Sequence, residues 1–222
     1  KMLTENKFSK YVLYAIGEII LVVVGILIAL NVNNQNILKK EAQLEQQYKN
    51  RLINQFQQDS VFLTKFNESM KFIIPFLDEI DSLLIQIDND LLNPNDIVKI
   101  PVFLTLQSQF ITKTTAIDEL NNTGNMSILK STELKDALVS YQNAVSKQLF
   151  MINNTATRNN EFDNYLIKNG VLMKSFYDIE VKYLNKEFRN RYWFVIANRK
   201  GFYNTMTTLE KECINTLKLL RQ

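Results

Sequence analysis

Enzymatic chemistry needs nucleophiles, acids, bases or metal ligands at workable spacing, and this chain is poor in them. It has no histidine, and its one cysteine is Cys213. That count removes Ser-His-Asp and Cys-His nucleophile systems, His-ligated zinc and the usual imidazole acid/base. A four-ligand Cys/His zinc site and an intrachain disulfide are excluded with them. Asp88, Asn89, Asp90 and Asp96 superficially resemble a calcium loop, but Leu92 stands at the fifth position, no Gly follows and no Glu closes the loop. A solvated loop is the better reading. Carboxylate-bridged di-iron bundles rely on Glu-x-x-His pairs, which cannot form here. No pair of carboxylates is singled out by spacing for acid/base work. The sequence therefore assigns no catalytic residue, no cofactor and no metal ligand, and it reads as a non-enzyme. Cys213 falls on an apolar helical stripe, where a thiol acts as a small hydrophobe. Phe188, Tyr192, Trp193, Phe194, Phe202 and Tyr203 are interleaved with Arg189, Arg191, Arg199 and Lys200. Such a run is more often core on one side with solvated Arg on the other than a binding surface.

The one polar residue that demands an account is Glu18, because of the element that carries it. Tyr11 to Val32 is apolar apart from Glu18 and the exit residue Asn31. At 1.5 Å per residue this run makes roughly 33 Å of helix, enough to cross a hydrocarbon core of about 30 Å. Tyr11 and Tyr14 stand at one end, where amphipathic rings favour the headgroup level. The amide-rich run from Asn31 to Asn36 marks the exit into water. A cleavable signal peptide is the weaker reading, since no small-x-small site follows and the helical pattern runs on. A carboxyl in the span costs about 2–3 kcal/mol unless partnered, protonated or near water. At 100° per residue Tyr14, Glu18, Val22, Gly25 and Ala29 share one stripe, and Gly25 with Ala29 is a small-xxx-small pair. This face is predicted to dock on a second transmembrane helix, with Glu18 hydrogen-bonded across the contact. The competing reading lets Glu18 snorkel to the headgroups.

Lys1, Lys7 and Lys10 precede the span, and Lys39, Lys40, Lys49 and Arg51 follow it, so charge alone does not orient it. The favoured arrangement has residues 1–10 cytoplasmic, 11–32 spanning, and 33–222 outside as a helical domain. With 5 Gly and 3 Pro in 222 residues there is too little turn material for a β-sandwich, a Rossmann sheet or a phosphate loop. A net charge of +3 with dispersed basic residues excludes a nucleic-acid partner.

Beyond the span, Leu63, Phe66, Met70, Ile73, Leu77, Ile80, Leu84, Ile87 and Leu91 alternate steps of three and four, a bundle seam. Pro75 falls inside it and predicts a kink or brief break rather than a reversal. Asn93-Pro94-Asn95-Asp96 ends this first helix. A second helix is predicted from Val102 to Leu120 with Phe103, Leu106, Phe110 and Ile117 inward, stopped at Gly124 in a left-handed C′ position. Ser131 or Thr132 caps a third, with Glu133 in its first turn and Leu134, Leu138, Tyr141, Val145, Leu149, Ile152 and Ala156 inward. A fourth runs from Phe188 to Leu220. The expected fold is all-α: an N-terminal transmembrane helix continuing into an extracytoplasmic antiparallel four-helix bundle. In that connectivity the acidic stretch Asp78–Asp96 meets the basic stretch Lys168–Lys200.

Residues Leu3 to Leu30, with the block Ala-Ile-Gly-Glu-Ile-Ile-Leu-Val-Val, resemble the N-terminal signature of an uncharacterised family of short membrane proteins from Bacteroidota. Leu120, Thr123-Gly124-Asn125, Ile128, Glu133-Leu134 and Tyr141 are similar to a second block of that family. Gln35 stands where the family usually places a Trp, so one interfacial anchor is missing. The resemblance implies an inner-membrane protein with a periplasmic domain and supplies no activity. The expected partners are membrane lipid and either a second copy or other membrane subunits. A periplasmic ligand-binding or sensor bundle, signalling through a partner, is the alternative.

Overall fold

A computed structural model describes residues 5–89, 100–101, 112–169, 178–179 and 185–222. The described chain is helical: α1 (Glu5–Asp88), α2 (Thr115–Asn122), α3 (Thr132–Lys168) and α4 (Lys186–Leu220), with a 3₁₀ turn at Asn125–Ile128. The exception is one two-residue antiparallel pairing, β1 (Ile100–Pro101) with β2 (Asp178–Ile179). It ties the α1–α2 connection to the α3–α4 connection.

The chain divides into two compact units, Lys1–Lys49 and Asn50–Gln222. In the first, every side chain from Lys10 to Gln43 is exposed. This includes a stretch whose mean hydropathy reaches 2.7 over eighteen residues, long and apolar enough to cross a membrane. Burying a Leu, Ile, Val or Phe side chain is worth about 1.5–3 kcal/mol, so a run of this length is stable only when something apolar covers it.

In the second unit, α1 keeps its seam through Pro75. Met70, Leu77, Ile80, Leu84 and Ile87 are buried, while Phe66 and Ile73 are half-buried. The helix runs on through Pro75, which lies on the exposed side, so the Lys71 carbonyl that has no proline N–H to accept from is on the water-facing side. The partners of α1 on α4 run in reverse order: Phe56 with Cys213, Asn67 with Met206, Asp81 with Lys200. Those on α3 run in the same order, from Asp59 with Tyr141 to the cluster of Leu84 and Ile87 with Phe162 and Tyr165. Helix α4 is therefore antiparallel to α1 and α3.

The caps follow local chemistry. Ser131 Oγ accepts from the Leu134 N–H at 3.0 Å to start α3. Asn185 Oδ1 does the same for Phe188 at the start of α4, at 2.8 Å. Gly124 takes φ +71° just past α2, the left-handed conformation that a Cβ disfavours.

Three expectations need correction. The second helix begins at Thr115, since residues 112–114 are not helical; Phe103, Leu106 and Phe110 lie outside the described residues. The bonds there are tertiary: the Thr112 N–H and hydroxyl both bond Gln148 Oε1 on α3, at 3.3 and 2.6 Å, instead of joining a helical ladder. In mid-α3 the inward residues are Gln148, Thr155 and Asn159. Leu149 is exposed, and Ile152 and Ala156 are only half-buried. Finally, Arg199 is buried rather than solvated.

The charge expectation is met at Lys200, whose Nζ lies 2.8 Å from both Asp78 Oδ1 and Asp81 Oδ2. Nearby, Leu84 and Ile87 share one apolar cluster with Phe188 and Tyr192. The end of α1 and the start of α4 therefore pack together. Asp90 and Asp96 lie outside the described residues.

Candidate functional site

The face singled out in the span is uniformly open. Tyr14 is 78% exposed and Val22 54%, and Glu18, Gly25 and Ala29 are exposed as well. A Cβ placed on Gly25 would meet nothing within 4 Å. Glu18 sits in a shallow trough along its own helix with Ala15, Ile19, Val22 and Val23. The helical period thus brings a carboxyl and a backbone-baring Gly to one side, with room for a second helix to approach closely.

Polar groups buried in the second unit form a set that sequence reading missed. Asp59 Oδ2 accepts from the Tyr141 hydroxyl at 2.8 Å, and these two side chains are 6% and 0% exposed. Burial pushes the Asp59 carboxyl above its ordinary value, against the lowering pull of hydrogen bonds to Tyr141 and Gln55. Burial, reinforced by the neighbouring Asp59 charge, also holds the Tyr141 proton far above the usual phenol range. Gln55 ties the same helix to the start of α2, donating to Lys113 O at 2.5 Å and accepting from the Ala116 N–H at 3.3 Å. Arg51 and Glu119 form a two-pronged ion pair one turn away.

A second thread crosses the helices. Gln148, bonded by Thr112, donates to Met206 Sδ at 3.2 Å. The Met206 carbonyl accepts from Asn67 Nδ2 at 3.3 Å, and that amide also donates to Glu210 Oε2 at 2.6 Å. Thr64 closes the thread on Glu210 Oε1 at 2.6 Å. These bonds satisfy donors that would otherwise be costly in a core, though Asn67 Oδ1 is buried without a partner among the described residues, and they link α1, α3 and α4 in one register. Cys213 donates to Phe56 O at 3.4 Å. Burial pushes its thiol up to about 12, so it is an inert structural group rather than a nucleophile.

The open concavity of most chemical interest lies between α3 and the first turns of α4, a groove of about 530 Å³. It is lined by the exposed Phe194 and the buried Phe162, by Arg158, Lys186 and Arg191, and by Glu161, Glu187 and Asn190. The aromatic-basic run thus splits in two: Phe188, Tyr192 and Phe202 are core, while Trp193 and Phe194 are exposed. No group of three His, Cys, Asp or Glu that could hold a metal ion occurs among the described residues.

Compared with known proteins, this chain matches no family model, no curated protein and no solved structure.

Proposed function

We propose that this protein is a single-span inner-membrane component that assembles with itself or with other membrane subunits. In this reading residues 1–10 are cytoplasmic and 11–32 span the bilayer. Residues 33–222 form a periplasmic antiparallel helical bundle, as the resemblance to the Bacteroidota membrane family implies. The span face of Tyr14, Glu18, Val22, Gly25 and Ala29 docks on a neighbouring helix, and the protein has no catalytic role. Lipid covers the rest of the span, and nucleic acid is no partner. The observation that carries the reading is the wholly exposed apolar run in which a carboxyl and a small-xxx-small pair share one side. An intramembrane carboxyl without a partner is costly, and a second helix supplies one.

Purification of the full chain in mild detergent, followed by identifying what accompanies it, tests this directly. A stoichiometric membrane partner or a defined oligomer is the expected result; a lone monomer refutes assembly. A reporter fused after Gln222 is expected to be active only in the periplasm, and activity in the cytoplasm reverses the topology. The alternative, a ligand-sensing bundle acting through a partner, is favoured by one feature alone, the groove between α3 and α4.

A further inference from the structure

We propose that the groove between α3 and α4 is a binding site for a small organic carboxylate with a flat apolar body. The site rests on the groove's own geometry and is independent of whether the protein assembles. Its volume of about 530 Å³ lies in the range of pockets that take small molecules. Among the described residues that line it, Arg158, Lys186 and Arg191 stand against Glu161 and Glu187, which leaves one positive charge over.

The two guanidinium groups are held in place but not used up. Arg158 Nη1 bonds Glu161 Oε2 at 2.8 Å, and its guanidinium lies 5.4 Å from the centre of the Phe194 ring. Arg191 bonds Glu187 Oε1 through Nε and Nη2, at 3.1 and 2.9 Å, and lies 5.0 Å from the centre of the Tyr165 ring. A guanidinium has five N–H donors, and each partner here is a carboxylate on the same helix three or four residues away. Such exposed pairs are weak and yield readily to a better-placed anion. Each guanidinium lies over a ring, which restrains it, and a guanidinium fork suits two-pronged capture of a carboxylate. The first turn of α4 adds its positive dipole end at the same rim.

The apolar lining sets the rest of the ligand. Phe162 is buried beneath the groove, packed 5.5 Å from Tyr192, and the open ring surface is that of Phe194, which is 48% exposed. A flat apolar body against the Phe194 ring, with its carboxylate toward Arg158 and Arg191, matches both parts of the groove. A purely inorganic anion would leave that ring surface wet.

Trp193 is the chain's only tryptophan and packs edge-on against Phe194 at 5.2 Å, so its emission reports on the groove. The full chain in mild detergent is titrated with benzoate, and separately with benzyl alcohol and inorganic phosphate. Benzoate is expected to give a saturable change, with the millimolar-range affinity usual for so small a ligand, weakening as salt rises. Replacing both arginines, Arg158→Gln with Arg191→Gln, should weaken it by about tenfold or more. Replacing Glu161→Gln with Glu187→Gln frees the guanidinium donors and should tighten it, which provides a test even where the arginine variant fails to fold. The proposal is overturned by no saturable response to benzoate, or by binding unchanged in a folded arginine variant. Benzyl alcohol binding as well as benzoate would make the effect simple partitioning, and phosphate binding as well would make it bare charge attraction. Either outcome overturns it too.

Discussion

Replacing Tyr141 with Phe isolates one bond in the middle of the second unit. The hydroxyl donates to Asp59 Oδ2 at 2.8 Å, while the ring keeps its packing on Phe56, 4.4 Å centre to centre. The substitution therefore removes a donor and leaves almost no cavity. A hydrogen bond to a charged group contributes about 1.5–3 kcal/mol net, and one between neutral groups about 0.5–1.5 kcal/mol. Which value applies depends on the protonation of Asp59. Its folded-state carboxyl is raised above 3.8 by burial. A raised folded value means that the stability linked to the protonated form is complete below the unfolded value. It is lost as pH rises through the folded one. Because the Tyr141 bond opposes this shift, deleting it raises the carboxyl further, and the cost of the substitution must grow with pH. The expected loss is about 1 kcal/mol near pH 3, where the carboxyl is protonated, and rises to about 2–3 kcal/mol at a pH high enough to ionise it. Urea unfolding of the full chain in mild detergent, followed by Trp193 emission, measures it. At that higher pH the midpoint should fall by about 1–2 M. A loss that is the same at both pH values, or below about 0.5 kcal/mol at the higher one, refutes the assignment of Asp59 and Tyr141 as a coupled buried pair.

The same linkage predicts that Asp59→Asn, which retains an acceptor for Tyr141, gains stability relative to the parent as pH rises from 3.8, at about 1.4 kcal/mol per unit of upward shift; parallel pH–stability curves would contradict it. Gly124→Ala meets no neighbour within 4 Å but must hold φ +71°, so thermal unfolding should report a loss of about 1–2 kcal/mol with no loss of helix content. Lys200→Met removes a contact with two partly exposed carboxylates, Asp78 and Asp81, and should cost no more than about 1 kcal/mol, a difference that shrinks in high salt. In the span, Gly25→Ile should reduce crosslinking between neighbouring helices while Leu27→Ile on the opposite side should not. Equal crosslinking in both would remove the case for a docking face.

What could be read from the sequence was whatever repeats with a helical period and has no rival. The seam from Met70 to Ile87, the left-handed Gly124, a cap at Ser131 or Thr132 and the long apolar helix near the N-terminus all belong here, because residue type or strict spacing narrows each of them. The meeting of the acidic end of α1 with the basic start of α4 followed from helices that alternate in direction and from Pro75 leaving the first helix unreversed. Lys200 between Asp78 and Asp81 is its result.

The buried polar thread was illegible for a physical reason. Hydrophobic periodicity places apolar residues inward, and in mid-α3 it selects Leu149, Ile152 and Ala156. The packing instead turns Gln148, Thr155 and Asn159 inward, a shift of about one residue. That choice is stabilised only jointly. Gln148 is tolerable inside because Thr112 and Met206 are there to bond it, and Thr112 gives those bonds from a non-helical stretch. Each residue taken alone reads as surface, and the arrangement becomes favourable only once four chain segments are in register. Candidate sites inherit the same asymmetry. Tyr14, Glu18, Val22, Gly25 and Ala29 lie on one helix and were found by counting. Arg158 and Arg191 are thirty-three residues apart on different helices. Only the antiparallel contact of α3 with α4, fixed in part by that buried thread, puts their two guanidinium groups at one groove.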